Sequence, residues 1–199
     1  MTPIKDYALI GNCETAALIN PAGGIDWLCL PAFDAAPLFN RLLDDEKGGD
    51  FLIHPVGDFD VTRRYIDDSA VFETRFFTNT GIVRLTDFFV IARKGDARFY
   101  DFTSLHPTSK LVRLIEWESG APVAMTLRVN ARPNYAQQPA HWKKQSATAF
   151  ALNEATIFTN VPMTETGGDL TATFKVGRDQ PVFPSSTTQK GDRFQTYSK

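Results

Sequence analysis

Apolar and polar residues alternate with a period of two along most of the chain, in short runs separated by turn residues. The run from Val123 to Val129 shows this clearly, because every second residue is apolar, as in a strand buried on one face. Similar patterns predict strands at 15–19, 25–30, 51–55, 61–66, 71–78, 82–90, 111–118, 147–152, 155–159 and 170–176. Many short strands with little helix predict an all-β fold, a large and mainly antiparallel β-sandwich.

Turn residues and one helical pattern complete the local predictions. Asn79-Thr80-Gly81 predicts a hairpin turn, and Asn153-Glu154 predicts a second tight turn. Within 35–43 the apolar residues fall at helical spacing, which predicts one short helix near residues 35–43 with Asp34 as its N-cap. The segment 91–108 is less regular and is interpreted as a loop.

Residues 23–34 combine a turn, a mostly apolar strand and an aromatic–acid pair within twelve positions. Proline and two glycines at 20–24 predict a turn that pairs the strands before and after it as a hairpin. Simple alternation places Ile25 and Trp27 on one face of the second strand, and Asp26 and Leu28 on the other. Asp26 is then an acid within an apolar strand, and it needs hydrogen-bond partners.

Length and composition predict a single domain. The chain has 199 residues, of which 43% are hydrophobic, enough for one sizeable core. The prediction is a sandwich domain over 1–180, followed by a loosely ordered tail over 181–199 where periodicity is lost. The net charge is −2 at pH 7 and no dense run of Lys and Arg occurs, so no nucleic-acid partner is expected.

Other residue types narrow the expected class further. No apolar run reaches the roughly 18 to 20 residues that span a bilayer, and the first residues lack a signal-peptide pattern, so a cytoplasmic protein without a membrane partner is expected. Cys13 and Cys29 are expected to be reduced thiols rather than a disulfide. The histidines are far apart and no metal-ligand spacing occurs, so neither a metal site nor another cofactor is expected.

Several blocks of sequence resemble the amino-terminal region of bacterial proteins of glycoside hydrolase family 15, the glucoamylase, glucodextranase and trehalase-like group. The first block covers residues 3–18, and the second contains Gly24-Ile25-Asp26-Trp27-Leu28-Cys29-Leu30-Pro31 and Phe33-Asp34. Further blocks are Arg64-Tyr65, Val71-Phe72-Glu73-Thr74-Arg75-Phe76, residues 81–88, Leu111-Val112-Arg113 and Arg132-Pro133-Asn134-Tyr135. The resemblance follows the family order and covers most of the chain up to about residue 176.

This resemblance implies both a fold and a missing part. In the family, a large supersandwich-like β-domain precedes an (α/α)6 barrel, and the barrel carries two catalytic glutamates for inverting hydrolysis of α-glucosidic bonds. No long helical repeats follow here, so the barrel is expected to be absent and no catalytic residue is assigned. Ala32 and Ala35 replace the arginine and serine that many relatives have beside the Phe-Asp pair, which weakens a binding role for that loop.

Four residues are the candidates for substrate binding: Asp26, Trp27, Phe33 and Asp34. An acid beside an aromatic ring can hold a glucose unit, because the C–H face of the sugar stacks on the ring and its hydroxyls donate to the carboxylate. The favoured, simpler interpretation is that Trp27 belongs to the core and that Asp26 accepts hydrogen bonds within the hairpin. For Asp34, the role of a helix cap is favoured over a ligand contact.

Two functions remain open. The first is a non-catalytic amino-terminal module that braces, and flanks the active site of, a catalytic barrel absent from this chain. The long loop with Tyr135, His141 and Trp142 is then expected to pack on that barrel. A large exposed apolar patch on one flank is the expected sign of this function. The alternative is a stand-alone β-sandwich that binds an α-glucoside or another protein, for which a groove lined by two or more exposed aromatic rings with nearby carboxylates is the expected sign.

Overall fold

Two antiparallel β-sheets, called sheet A and sheet B, pack face to face, and this confirms the predicted all-β sandwich. The computed structural model describes residues 2–93, 105–178 and 180–188. One turn of 3-10 helix, Ile4–Asp6, precedes the strands β1 Ala8–Gly11, β2 Ala16–Ile19, β3 Ile25–Cys29, β4 Pro37–Phe39, β5 Asp50–Pro55, β6 Asp60–Tyr65, β7 Phe72–Phe77, β8 Gly81–Arg93, β9 Leu105–Gly120, β10 Val123–Asn130, β11 Lys143–Lys144, β12 Ala149–Leu152, β13 Ala155–Phe158, β14 Thr164–Thr166, β15 Asp169–Val176 and β16 Ser185–Thr188.

Most strands that follow each other in sequence lie in the same sheet, and the chain crosses between the sheets after β5, β9, β10, β13 and β15. Sheet A has the order β1-β2-β3-β5-β10-β15-β14, with β4 paired to β3, and sheet B has the order β11-β12-β13-β16-β9-β8-β7-β6. The predicted hairpin turns at 79–81 and 153–154 join β7 to β8 and β12 to β13. Long-range pairing such as β5 with β10 therefore assembles the core from distant parts of the chain.

The core lies between the inner faces of the two sheets. Along β10 every second residue is buried, as the alternation predicts, while the residues between them are only half-buried. The buried set from both sheets includes Ile10, Ile19, Ile25, Phe51, Ile53, Phe76, Val83, Leu85, Leu111, Ile115, Met125 and Leu127. Burial of this continuous apolar layer is the main source of stability for the sandwich.

The predicted helix near residues 35–43 is wrong. Residues 37–39 form strand β4, in which all three side chains are buried, and Phe39 pairs with Leu28 of β3. The next residues reverse direction, and the Asn40 amide donates to the carbonyl of Gly48 at 2.9 Å. A short helical pattern has little intrinsic stability, so pairing with β3 and burial of Phe39 decide the local structure.

Two segments that lack a strand pattern in the sequence prove to contain strand. Residues 91–93 and 105–108, predicted as part of a loop, extend β8 and β9, while 94–104 lie outside the described residues. Within the predicted tail, β16 lies between β13 and β9, and Val182 forms a bridge with Ile115. Sheet B therefore continues past residue 180, and residues 189–199 lie outside the described part of the chain.

A buried guanidinium, which belongs to an ion pair within sheet B, joins the two sheets. Arg113 of β9 and Asp87 of β8 are paired in register, both side chains are fully buried, and Arg113 Nε donates to Asp87 Oδ1 at 2.8 Å. The same guanidinium donates to the main-chain carbonyls of Phe51 and Gly23, which belong to the sheet A side of the core. It also lies over the Phe51 ring, with Cζ 4.8 Å from the ring centroid. Its charge and its donors are thus matched inside the core.

We expect Asp87→Asn to lower the free energy of unfolding by roughly 3–5 kcal/mol, because a buried guanidinium would lose its counter-ion. The matched control is Glu116→Gln, which removes the partly exposed Arg84–Glu116 pair between the same two strands. That control should cost at most about 1 kcal/mol. Urea denaturation of both variants measures the difference, and equal losses would contradict a special role for the buried pair.

Candidate functional site

A β-bulge in β3 places Asp26 where simple alternation does not. Leu18 pairs with Trp27, but the next residue of β2, Ile19, pairs with Ile25, so Asp26 is an extra residue in the ladder. Ile25 and Leu28 consequently both lie in the core, although they are three positions apart. The bulge corrects the predicted division of β3 into two faces, since it lets Asp26 and Trp27 both turn away from the core.

Asp26 is buried and accepts hydrogen bonds from two side chains. The Tyr7 hydroxyl donates to Asp26 Oδ2 at 2.7 Å, and Asn20 Nδ2 donates to Asp26 Oδ1 at 2.9 Å. Only 2% of Asp26 is exposed. Burial raises the pKa of Asp26, and the two hydrogen bonds oppose part of that rise. Burial, and then the hydrogen bond to Asp26, raise the pKa of Tyr7 to about 12.

Asn20 holds the turn that supports this acid. Its Oδ1 accepts hydrogen bonds from the amides of Ala22 and Gly24, both at 2.9 Å, while its Nδ2 is directed to Asp26. Gly24 lies so close that a Cβ there would come within 2.7 Å of Asn20 Nδ2. Gly23, with φ of +80°, would place a Cβ 2.8 Å from the Phe76 ring. The glycines of the turn are therefore required by close packing.

An open pocket of about 530 Å³ lies beside Asp26, and its wall includes Asn20, Pro21, Asp26, Arg41, Asp45 and Leu52. Arg41 Nη1 donates to Asp50 Oδ2 at 2.7 Å. Arg128 Nη2 donates to both oxygens of Asp50, at 3.0 and 2.8 Å. Two guanidinium groups thus share the Asp50 carboxylate, which leaves a net positive charge. The positive charge of Arg41 favours the ionised form of Asp26 nearby. Donors and acceptors of this kind suit a ligand rich in hydroxyl groups.

The structure does not bring the predicted acid and aromatic ring into one pocket. Trp27 is half-buried and pairs with Leu18, which in turn pairs with Leu9 of β1. These three residues form a row on the outer face of sheet A, and Trp27 is not part of the wall of the Asp26 pocket. Trp27 is therefore not a core residue, in contrast to the favoured interpretation of the sequence.

Phe33 and Asp34 lie on the β3–β4 loop, apart from Asp26, and both side chains are exposed. The Phe33 amide donates to the carbonyl of Glu14 at 3.0 Å, and the Ala35 amide donates to the carbonyl of Ala32 at 3.1 Å. Asp34 therefore occupies a turn and caps no helix. A second pocket, of about 440 Å³, opens beside this loop, with Pro31, Pro37, Leu38, Pro133, Leu152 and Ala155 in its wall.

The sequence left the partners of Asp26 unidentified. It indicated that this acid needs donors, but not that Tyr7, which precedes β1, and Asn20 supply them. Arg41 was likewise hidden within the predicted helix. Within the described ranges, no group of three or more His, Cys, Asp and Glu side chains could hold a metal ion. Over the same ranges, no helix is long and apolar enough to cross a bilayer.

The fold and the site define an all-β sandwich domain with an acid-bearing pocket at one sheet. Comparison with protein families then places the chain: the family model described as trehalase-like, N-terminal, matches residues 1–151. The chain belongs to this family. No solved structure matches it.

Several curated proteins named trehalase are similar to the chain over part of its length. The trehalase of Mycobacterium tuberculosis is 38% identical over 95 residues, which are 47% of this chain and 14% of that protein. The trehalase of Thermoplasma volcanium is 34% identical over 158 residues, 77% of this chain and 24% of that protein. Trehalase 2 of Sulfolobus acidocaldarius is 35% identical over 96 residues, 48% of this chain and 16% of that protein. The chain thus spans less than a quarter of these relatives.

The Tyr7–Asp26 contact predicts a loss of stability at alkaline pH. Because the pKa of Tyr7 is about 12 in the folded protein against an ordinary 10.0, the folded state holds the phenol proton more tightly than the unfolded state. Its contribution to stability is therefore complete below pH 10 and is lost as the pH rises through 12. In Tyr7→Phe this loss should disappear, and the missing hydrogen bond should cost about 1 kcal/mol at neutral pH.

Chemical denaturation over a series of alkaline pH values measures both effects. Tyr65→Phe is the control, since the Tyr65 hydroxyl bonds only the main chain of Leu9 in the described structure. That control should keep the alkaline loss. A Tyr7→Phe variant with the same alkaline dependence as the unmodified chain would refute the assignment.

Proposed function

We propose that this chain is the non-catalytic amino-terminal module of a trehalase-like α-glucosidase, similar to glycoside hydrolase family 15. Its role is to brace a catalytic (α/α)6 barrel and to flank that barrel's active site. The observation that carries the proposal is the match of residues 1–151 to a trehalase-like amino-terminal family, together with trehalase relatives that are at least four times as long as the matched part.

The state of the acids supports a non-catalytic role. Inverting hydrolysis needs a general acid and a general base whose carboxyls stand roughly 6.5–9.5 Å apart, with a water beside the base. Asp26 is almost fully covered, and both of its oxygens accept hydrogen bonds from the protein. Asp50 is neutralised by Arg41 and Arg128, and Asp87 by Arg113. These buried acids serve internal contacts.

The isolated chain is expected to hydrolyse trehalose, maltose and isomaltose no faster than a buffer blank. The reason is that the catalytic pair belongs to the barrel of the proposed full-length enzyme. Glucose release measured by a coupled assay tests this. A rate that exceeds the blank and disappears in Asp26→Asn or Asp45→Asn would overturn the non-catalytic assignment.

The alternative function, a stand-alone carbohydrate-binding sandwich, is supported by the Asp26 pocket. Arg41 and Asp45 place a guanidinium and a carboxylate in the wall of one open pocket, so the pocket suits the hydroxyls of an α-glucoside. Calorimetric titration of the chain with millimolar trehalose separates the two functions. Under the bracing proposal no saturable heat is expected. Saturable binding that is lost in Arg41→Met, with Arg64→Met as an exposed control on β6, would favour the alternative.

A further inference from the structure

Several loops meet at one end of the sandwich. The β1–β2 turn contacts the start of β9 through Asn12 Nδ2, which donates to the carbonyl of Thr108 at 2.8 Å. The β3–β4 loop is attached beside it, because Ser109 Oγ donates to the carbonyl of Pro31 at 3.2 Å. The β10–β11 loop joins the same end, since the Arg132 amide donates to the carbonyl of Leu38 at 3.1 Å. These contacts hold the loops against the ends of both sheets.

The 440 Å³ pocket described above opens at this end, and two of the loops that supply its wall also carry an exposed aromatic ring. Its wall takes residues from the β3–β4 loop, the β10–β11 loop and the β12–β13 turn. Phe33 and Tyr135 lie within the first two of these loops, and they are 60% and 56% exposed. We call the pocket wall together with Phe33 and Tyr135 the loop-end surface. Two large exposed rings on neighbouring loops are typical of an interface.

The backbone around Tyr135 holds its ring outward at a cost. Asn134, Tyr135 and Ala136 have φ values of 54°, 55° and 61°, in the left-handed region that residues with a side chain rarely adopt. The segment is kept in this form by local bonds, in which the Ala136 amide donates to the carbonyl of Arg132 and the Gln137 amide to that of Asn134. Three consecutive strained residues that present an exposed ring indicate a functional constraint.

One part of the outer face of sheet A has a different composition from the loop-end surface. On the outer face of sheet A, β10 and β15 present paired polar residues, such as Thr126 with Thr173 and Arg128 with Thr171. Thr171 and Thr173 are exposed without any apolar neighbour in register. The loop-end surface differs in composition, because its wall is made largely of proline, leucine and alanine.

The direction of the last strand identifies what covers this surface. β16 runs toward the loop end: Ser185 pairs with Val112, Thr187 pairs with Lys110, and Thr188 lies beside Ala155. Ala155 is itself part of the pocket wall. The described part of β16 therefore ends beside the loop-end surface. The trehalase relatives are at least four times as long as the part matched here, so most of their length lies outside the matched region.

We propose that the loop-end surface is the docking face for the catalytic domain of trehalase-like proteins, with Phe33 and Tyr135 inserted into that domain. This inference rests on the proposed bracing function and names the surface that performs it. Aromatic anchors beside a pocket contribute most of the binding energy at protein interfaces, whereas polar residues at the rim contribute little. The two rings therefore determine the affinity.

The test uses the full 199-residue chain and the trehalase of Thermoplasma volcanium from which the region matched by this chain has been removed. Sedimentation velocity and calorimetry measure binding. The unmodified chain should form a one-to-one complex, and the double variant Phe33→Ser with Tyr135→Ser should bind roughly tenfold more weakly or worse. Both rings are more than half exposed, so the melting temperature of the double variant should stay unchanged.

Phe183→Ser is the matched control. Phe183 is also exposed, at 41%, but its amide bonds Asn160 beyond the far end of β13, away from the loop-end surface. This control should bind as the unmodified chain does. If the truncated trehalase does not fold alone, co-expression replaces mixing. We then expect the truncated trehalase to be recovered in soluble form when it is co-expressed with the unmodified chain, but not with the double variant.

The possible outcomes test the bracing function and the loop-end surface separately. Binding by the unmodified chain and the double variant with equal affinity would overturn the loop-end surface and leave the bracing function standing. Equal weakening by Phe183→Ser would also overturn the loop-end surface, because the effect would not be specific to it. No binding by the unmodified chain, and no recovery on co-expression, would overturn both.

Discussion

The sandwich depends on one buried guanidinium. Arg113 extends from sheet B, takes its counter-charge from Asp87 on the neighbouring strand, and donates to the carbonyls of Phe51 and Gly23. Those two carbonyls lie in β5 and in the β2–β3 turn, so a single side chain sets the spacing of the sheets and the position of the turn. A mismatch at this point would leave a charge and several polar groups unsatisfied in the core, which is far more costly than a lost surface contact.

The candidate site is built on that turn. Residues 20–24 follow β2, Gly23 is held by Arg113, and Asn20 connects the same turn to Asp26. The bulge at Asp26 and the hydrogen bond from Tyr7 complete a network that ties the start of the chain to sheet A. The acid thus connects Tyr7 to the turn and also forms part of an open pocket. The hydrogen bonds from Tyr7 and Asn20 explain how this carboxylate is nearly buried without an ion pair among the described residues.

The Asp26 pocket and the loop-end surface have different roles in the proposed function. The Asp26 pocket is closely tied to the core through Asp26 and Asn20, whereas the loop end carries exposed rings, one of them on strained backbone. Only the loop end lies where β16 leaves the described part of the sheet. A module that braces a larger domain needs a rigid body and a contact face near the covalent connection between the two domains. Because the two domains are attached there, each is present at a high effective concentration for the other.

The amino-acid pattern was sufficient to predict the fold class, most of the strands and the two hairpin turns, since alternation with a period of two is a local pattern that burial on one face imposes. Asp26 was also recognisable as an acid in need of donors. Three features became visible only in the folded chain: residues 37–39 form a strand, β3 has a bulge, and Tyr7, Asn20 and Arg113 are the partners of distant groups. These features depend on contacts between segments far apart in the chain, and no local pattern encodes which distant donor meets which acceptor.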